Sequence, residues 1–308
     1  MKIGLALPHY EFSFPDHGPL TVDRVLSYAR TAERLGFDSV WVSDHLFIDL
    51  SRYGGPGGRR RSVECMSLAQ AVTAATERVR VGTLVACMPF RATALMAEQA
   101  NVIAAVGGGR FDLGVGAGWN QAEFEEMGIE FGTAGSRITR LGSQVAELAA
   151  RLDPGVPIWI GGKGGPRVLR IVAEHAAGWN VVWQMTPQAY GERLAILARA
   201  CEKAGRAPSS VALSVGLNFL IGADDRDVRA RYERLQRWTP PGVIDATAFE
   251  DWREGRLAGT AHECAQRIKK FEALGVSEII LTAGHLPFAV PDDEQLERAA
   301  GELLPLVR

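Results

Sequence analysis

Short apolar runs alternate along the whole chain with longer stretches of helical periodicity. Eight of the short runs read as strands: Lys2–Pro8, Asp38–Ser43, Arg78–Ala86, Arg110–Val115, Pro157–Ile160, Gly178–Val182, Val211–Ile221 and Val276–Thr282. Near-continuous apolar runs of this length suit strands covered on both faces. Between the strands, Thr21–Leu35 places Val25, Tyr28, Ala29, Ala32 and Leu35 on one helical face, and Gly36 stops it. Met66–Thr76, Thr93–Val106, Gln121–Met127, Ile138–Leu152 and Pro166–His175 also read as helices. Thr186 and Pro187 open another with a cap residue and a proline at the first helical position. Thr260 and Glu263 have the spacing of a capping box, for a helix through Leu274 that Gly275 ends. Asp292–Val307 closes the chain as a helix.

Strands separated by helices predict an α/β fold, a (β/α)8 TIM barrel in a single domain over residues 1–308. A doubly wound open sheet has the same periodicity. Two stretches read as loop insertions. Leu46–Ser62 carries a Tyr53–Gly58 turn and then Arg59, Arg60 and Arg61. Arg237–Leu257 carries Pro240, Pro241, Gly242 and the tryptophans Trp238 and Trp252. Long irregular segments in compact folds often serve as lids or binding loops.

Composition narrows the function classes. Apolar residues make up 47% of the chain and charged residues 23%, too apolar for a disordered chain. A formal net charge of -2 gives no electrostatic case for nucleic acid or an anionic membrane surface. Cys65, Cys87, Cys201 and Cys264 are widely spaced, which disfavours a zinc site or disulfide scaffold and suits a reducing cytoplasm. The N-terminal apolar run reads as a buried strand, not a signal peptide. No stretch approaches the roughly 20 apolar residues of a membrane span. The expected partners are a small-molecule substrate and a second copy of the chain.

In such a barrel, chemistry sits where strands end and the following loops begin. Those positions hold His9 and Tyr10, then Asp44 and His45, then Cys87, and later Trp183, Gln184 and His285. Two glycine clusters follow the fourth and fifth strands: Gly114, Gly116 and Gly118, then Gly161, Gly162, Gly164 and Gly165 around Lys163. Backbone N–H groups at such turns suit a phosphate; glycines also simply permit tight turns. Neither cluster matches the dinucleotide-binding or P-loop spacing. His45 beside Asp44 is positioned to donate a hydrogen bond or move a proton, although a structural His–Asp pair has the same look. No nucleophile elbow, zinc-protease helix or calcium loop occurs, so no metal is expected. Cys87 reads as a buried structural thiol, and His9, His175 and His262 as structural histidines.

Taken together, Gly36–His45 (GFDSVWVSDH), Glu77–Val85 (ERVRVGTLV), Phe90–Trp119 and Pro157–Asn180 resemble the luciferase-like flavin oxidoreductase superfamily over roughly residues 1–220. The resemblance implies a TIM barrel that binds FMN or the deazaflavin coenzyme F420 at its C-terminal face. The SDH after the second strand and the GVGAGW after the fourth resemble the F420-dependent branch. Carried over by position, Ala117, Gly118, Gly161, Gly162 and Lys163 would hold the cofactor phosphate. His45, next to Asp44, would approach the deazaflavin ring. A cis peptide that packs against the ring would fall near Leu84–Val85. Trp119 and Trp183 would wall the pocket.

Two departures matter. The sugar-phosphate dehydrogenases of this branch carry a glutamate where this chain has Trp119, which argues against that reaction. Many members also have a long insertion where Arg151–Pro157 joins helix to strand directly. The implied activity is hydride transfer between coenzyme F420 and a small organic substrate. An FMN-dependent monooxygenase using reduced flavin and oxygen is the alternative. A barrel that binds such a ligand without turnover is a third reading. Arg59–Arg61 is read either as a solvated loop or as a contact for the anionic tail of the deazaflavin.

Overall fold

A computed structural model describes residues 1–308. Eight parallel strands close on themselves: β1 (Lys2–Ala6), β2 (Ser39–Val42), β3 (Arg80–Thr83), β4 (Phe111–Gly116), β5 (Ile158–Gly161), β6 (Gly178–Val181), β7 (Ala212–Ile221) and β8 (Glu278–Ala283). Each pairs with the next in sequence, and β8 returns to β1 with Leu281 opposite Leu5. This is the (β/α)8 barrel expected from the alternation, and closure excludes the open sheet. Because β4 and β5 are neighbours and parallel, both glycine clusters open at the same end of the barrel.

The side chains of each strand alternate between two layers. Ile3 and Leu5 of β1 join the large outer core, which the surrounding helices cover, while Ala6 joins the barrel interior. The interior is filled by pairing large residues with absent ones. A Cβ at Gly82 would collide with the Trp41 ring, and one at Gly178 with the Trp159 ring. The two indoles meet edge to face at 6.3 Å, so the barrel centre is solid and the open space lies above it.

Helices α1 (Val22–Leu35), α2 (Cys65–Ala75), α3 (Thr93–Val106), α4 (Gln121–Glu126), α5 (Ala134–Ala149), α6 (Pro166–His175), α7 (Pro187–Lys203), α8 (Asp225–Trp238), α9 (Phe249–Arg253) and α10 (Ala261–Glu272) follow in chain order. The Thr260–Glu263 capping box is formed at the start of α10, and Thr186 caps α7. The closing helix is divided by a π-turn over Ala299–Leu303.

Three features depart from the sequence reading. The expected third strand is interrupted: β3 stops at Thr83, and Ala86–Cys87 resumes pairing against Val115 and Gly116 of β4. The Leu84–Val85 peptide between them is cis. Helix α8 has no counterpart in the expected elements, because only Val228, Tyr232, Leu235 and Arg231 of its 14 residues are buried. Both presumed insertions contain regular structure. Phe47–Asp49 and Arg59–Arg61 form an antiparallel hairpin, and Leu257–Gly259 adds a short parallel strand to the upper part of β7.

Candidate active site

The mouth of the barrel divides into two halves. The first is built on the ends of β1 to β5. His45, just beyond β2, is held by Glu123 of α4, with Nδ1 2.7 Å from Oε2. Glu123 is fully buried, and its other oxygen accepts from the N–H groups of Leu46 (2.6 Å) and Phe47 (3.3 Å). The carboxylate therefore fixes both the ring and the backbone that carries it. A proton on Nδ1 leaves Nε2 as the working nitrogen. Trp119 meets the imidazole edge to face at 5.0 Å, and the Arg52 guanidinium lies 4.0 Å over that indole.

Asp44 has a different set of partners. Its carboxylate accepts from Arg91 (2.5 and 3.0 Å) and from the Cys87 N–H (2.8 Å). Arg91 also bonds Glu64, which caps α2. Asp44 thus ties β2 to the segment after β3, and the neighbour that orients His45 is Glu123. Behind them, the Tyr10 hydroxyl lies 2.5 Å from Ser43 Oγ. His9 Nδ1 donates to the Leu7 carbonyl (2.7 Å), and Nε2 faces Ser43 Oγ (3.0 Å) and N (3.2 Å). Burial pushes His9 down to about 4, so its ring is neutral near pH 7.

The glycine clusters have two causes. Val85 projects between β4 and β5: a Cβ on Gly116 or on Gly161 would lie 2.6 Å from its methyl groups. Those two glycines are required by packing. The turns beyond them are open. The N–H groups of Gly118, Trp119, Lys163, Gly164 and Gly165 have no acceptor within the protein, whereas the Gly162 N–H is bonded to the Asn180 carbonyl. Free N–H groups ahead of helix α6 form a site suited to an anion. Cations stand nearby. Arg137 donates to the Gly118 carbonyl (3.2 Å) and stacks on Phe131, and Arg193 reaches the Lys163 carbonyl (3.4 Å). The first turn, free of cations in sequence, therefore receives one from α5.

The second half is built on the ends of β6 to β8. The Val182–Trp183 peptide is cis, and Gln184 follows with φ +41°. The Trp183 ring meets Phe288 edge to face at 5.5 Å, and Phe288 in turn meets His9 at 4.9 Å. Trp252 Nε1 donates to His285 Nδ1 (3.0 Å). Burial, followed by the nearby Arg256 charge, pushes His285 down to about 4.

Of the residues singled out in the sequence, the structure gathers His45, Trp119, Leu84, Val85, Ala117, Gly118, Gly161, Gly162 and Lys163 around one half of the mouth, with Asp44 in the layer beneath. Arg59, on the hairpin beside it, is engaged by Glu126 of α4 (2.6 Å). Glu123 was missed. Phe124 next to it is buried too, while Glu125 and Glu126 are exposed, and a helix of six residues has no periodicity to separate them. All four cysteines are buried, and no cluster of His, Cys, Asp and Glu side chains could hold a metal ion. No helix is long and apolar enough to cross a membrane.

The chain is similar to several known proteins. The F420-dependent glucose-6-phosphate dehydrogenase of Microbacterium testaceum is 30% identical over 97% of this chain and 96% of its own. The 5,10-methylenetetrahydromethanopterin reductase of Methanolobus tindarius is 26% identical over 65% of this chain, a match spanning 62% of that protein. Among solved structures, an F420-dependent secondary alcohol dehydrogenase in complex with an F420–acetone adduct superposes with a TM-score of 0.78 at 19% identity, covering 100% of this chain and 99% of that one. The sequence profile of the luciferase-like monooxygenases matches residues 1–142 and 135–278. With the closed barrel, the interrupted third strand and nearly the whole length matched, the chain belongs to the luciferase-like monooxygenase family of enzymes.

Proposed function

We propose that the chain transfers a hydride between coenzyme F420 and a small organic substrate. The observation that carries this reading is the juxtaposition, in one half of the mouth, of a carboxylate-held His45 with two turns of unpaired N–H groups. These residues fit the cofactor. Its internal phosphodiester bears a single negative charge, which backbone N–H groups can hold without a dedicated cation. Gly118, Trp119 and Lys163–Gly165 would hold that phosphate, and Val85 would support the ring from beneath. When bound, the deazaflavin supplies the hydride-carrying carbon.

The chain's own part is positioning and proton control. Glu123 accepts from Nδ1 of His45, which leaves Nε2 free to accept a hydrogen bond, or to take up and return the proton that accompanies hydride transfer. Asp44 acts through Arg91 and Cys87 to keep the end of β2 in register with the Leu84–Val85 shelf. Trp119 and Trp183 shield the site from water. The carboxylate that sugar-phosphate dehydrogenases carry at the position of Trp119 is absent. Glu123 brings one nearby, but His45 and two N–H groups occupy it.

A second reading, FMN-dependent oxygen chemistry, draws on Arg137, Lys163 and Arg193 around the same turns, since a terminal phosphate bears nearly two charges and favours cations. Side-by-side calorimetric titration with F420 and FMN tests both. The expected result is tighter F420 binding. Tighter FMN binding together with flavin-dependent oxygen consumption would replace the first reading by the second. Tight binding of either cofactor without turnover of any alcohol, aldehyde or imine would favour a binding protein.

A further inference from the structure

Two arginines of the chain are about nine-tenths buried or more, and they are treated oppositely. Arg231 is 6% exposed and bonds the carboxylates of Asp227, Asp292 and Glu294. Arg256 is 9% exposed and has no carboxylate within ion-pair distance. Its one hydrogen bond runs from Nη1 to the Trp252 carbonyl. Its Nε is sealed from solvent with no acceptor at all. The guanidinium lies 5.2 Å over the Trp252 ring. A buried cation without a counter-ion is costly, so such a group is kept where something outside the chain completes it.

Its place in the fold identifies what that is. Arg256 directly precedes Leu257, which pairs with Phe219 of β7, so it stands level with Asn218 at the barrel mouth. Asn218 donates to the carbonyls of Gly284 (2.8 Å) and His285 (3.0 Å), which fixes the loop after β8. The Met185 N–H bonds the Gly255 carbonyl (2.9 Å), which joins the loop after β6 to the same segment. His285 takes the Trp252 N–H on Nδ1, so its own proton sits on Nε2, a donor with no partner in the protein. A guanidinium with four unused N–H donors and a neutral imidazole donor thus flank one indole, away from the glycine turns.

We propose that Arg256, assisted by His285, anchors an anionic group of the substrate, a carboxylate or a phosphate. The proposal rests on the hydride-transfer reading for the word substrate, but its test does not need turnover. The protein, saturated with F420 so that the glycine turns are filled, is titrated with inorganic phosphate and separately with oxalate, with tryptophan fluorescence as the signal. One or both anions are expected to bind, and Arg256→Met is expected to weaken that binding about tenfold or more. Without anion, the melting midpoint of Arg256→Met is expected to be no lower than that of the native protein, since an uncompensated charge has been removed. Should that variant not fold, Arg256→Gln, which keeps a donor for the Trp252 carbonyl but not the charge, takes its place.

Equal anion affinity in native protein and variant would overturn the proposal, as would the absence of binding by both anions. Loss of F420 affinity in the Arg256 variants would assign the arginine to the cofactor and overturn it too. If F420 itself fails to bind, the same titration without cofactor still tests the anchor. The relative strength of phosphate and oxalate then separates the two anion classes.

Discussion

The two halves of the barrel mouth handle charge in opposite ways. Beneath the β1–β5 half, Asp44, Arg91 and Glu64 form a closed network, and Glu123 is met by His45 and two N–H groups. Every buried charge there has a partner inside the chain. In the β6–β8 half, Arg256 is buried with none, among Trp252, His285 and the Trp183 loop. A site that must present one fixed geometry to a constant cofactor is served by internal satisfaction, which rigidifies it. A site that discriminates among substrates is served by a polar group that only the right ligand completes. On the proposed reading, the half that would hold the cofactor and the half that would hold the substrate thus differ in how their buried charges are met.

The largest effect that would break this comparison concerns His45. Replacement by alanine is expected to lower turnover by about 10²–10⁴-fold, the usual contribution of a positioned acid–base group, while the melting midpoint changes little. Glu123→Gln should retain part of the activity, since an amide oxygen can still accept from the imidazole. A His45→Ala protein with normal turnover per folded molecule, or one that melts far below the native protein, would make the histidine structural.

Arg91 against Arg256 tests the comparison through stability. Arg91→Met leaves the buried Asp44 carboxylate without its counter-ion, and the expected cost is about 3–5 kcal/mol. Arg256→Met carries no such cost. Denaturant unfolding of the pair measures the difference directly. Equal destabilisation of the two would mean that both halves are held by their arginines alike.

Much of this was legible in the chain. The eight strands are buried on both faces, so each shows as an apolar run whatever its neighbours do. The interruption of the third was not legible from periodicity, because Thr83–Ala86 is as apolar as an unbroken strand. Only the family resemblance pointed to Leu84–Val85. Helix α8 was missed because its burial rests on three apolar contacts in a charged segment. His45 could be read from its place at a strand end. Arg256 could not, since lacking a partner is a property of the folded arrangement, and the sequence holds many arginines that do find one.

Titration gives a third test, because each half carries one histidine that desolvation holds neutral, fully buried His9 and half-buried His285. His9 and His285 are both pushed down to about 4, mainly by burial. Below pH 6.5 the unfolded chain binds protons that the folded chain refuses, so stability falls as pH drops from 6.5 toward 4. Glu278 at the barrel floor acts the other way. Burial pushes it up to about 7, so the folded chain holds a proton that the unfolded chain releases above 4.5. Its contribution is lost as pH rises through that window. Each full shift corresponds to about 3 kcal/mol at most. Glu278→Gln should therefore raise the midpoint at pH 8 more than at pH 5. Phosphate bound at Arg256 should raise the titration of His285, followed by NMR, and leave that of His9 unchanged. An equal response of the two rings would erase the electrostatic distinction between the halves.

The smallest expected effect concerns the hairpin that flanks the first half. Arg59 pairs with Glu126 and lies 4.2 Å over Phe47, but both charged side chains are about half exposed. Such a pair contributes less than about 1 kcal/mol. Replacing Arg59, Arg60 and Arg61 by alanine should hardly move the melting midpoint. If the first half holds F420, their use would be toward the anionic glutamate tail of that cofactor, because the hairpin stands beside exposed Trp119 and Arg52 at the edge of that half. The native protein should then bind long-tailed F420 more tightly than a form trimmed of its glutamates. The triple variant should bind the two alike, and added salt should abolish the difference in the native protein, because exposed charges are screened. Tail-independent affinity in both proteins would return the hairpin to a solvated edge and leave cofactor recognition to the glycine turns and His45.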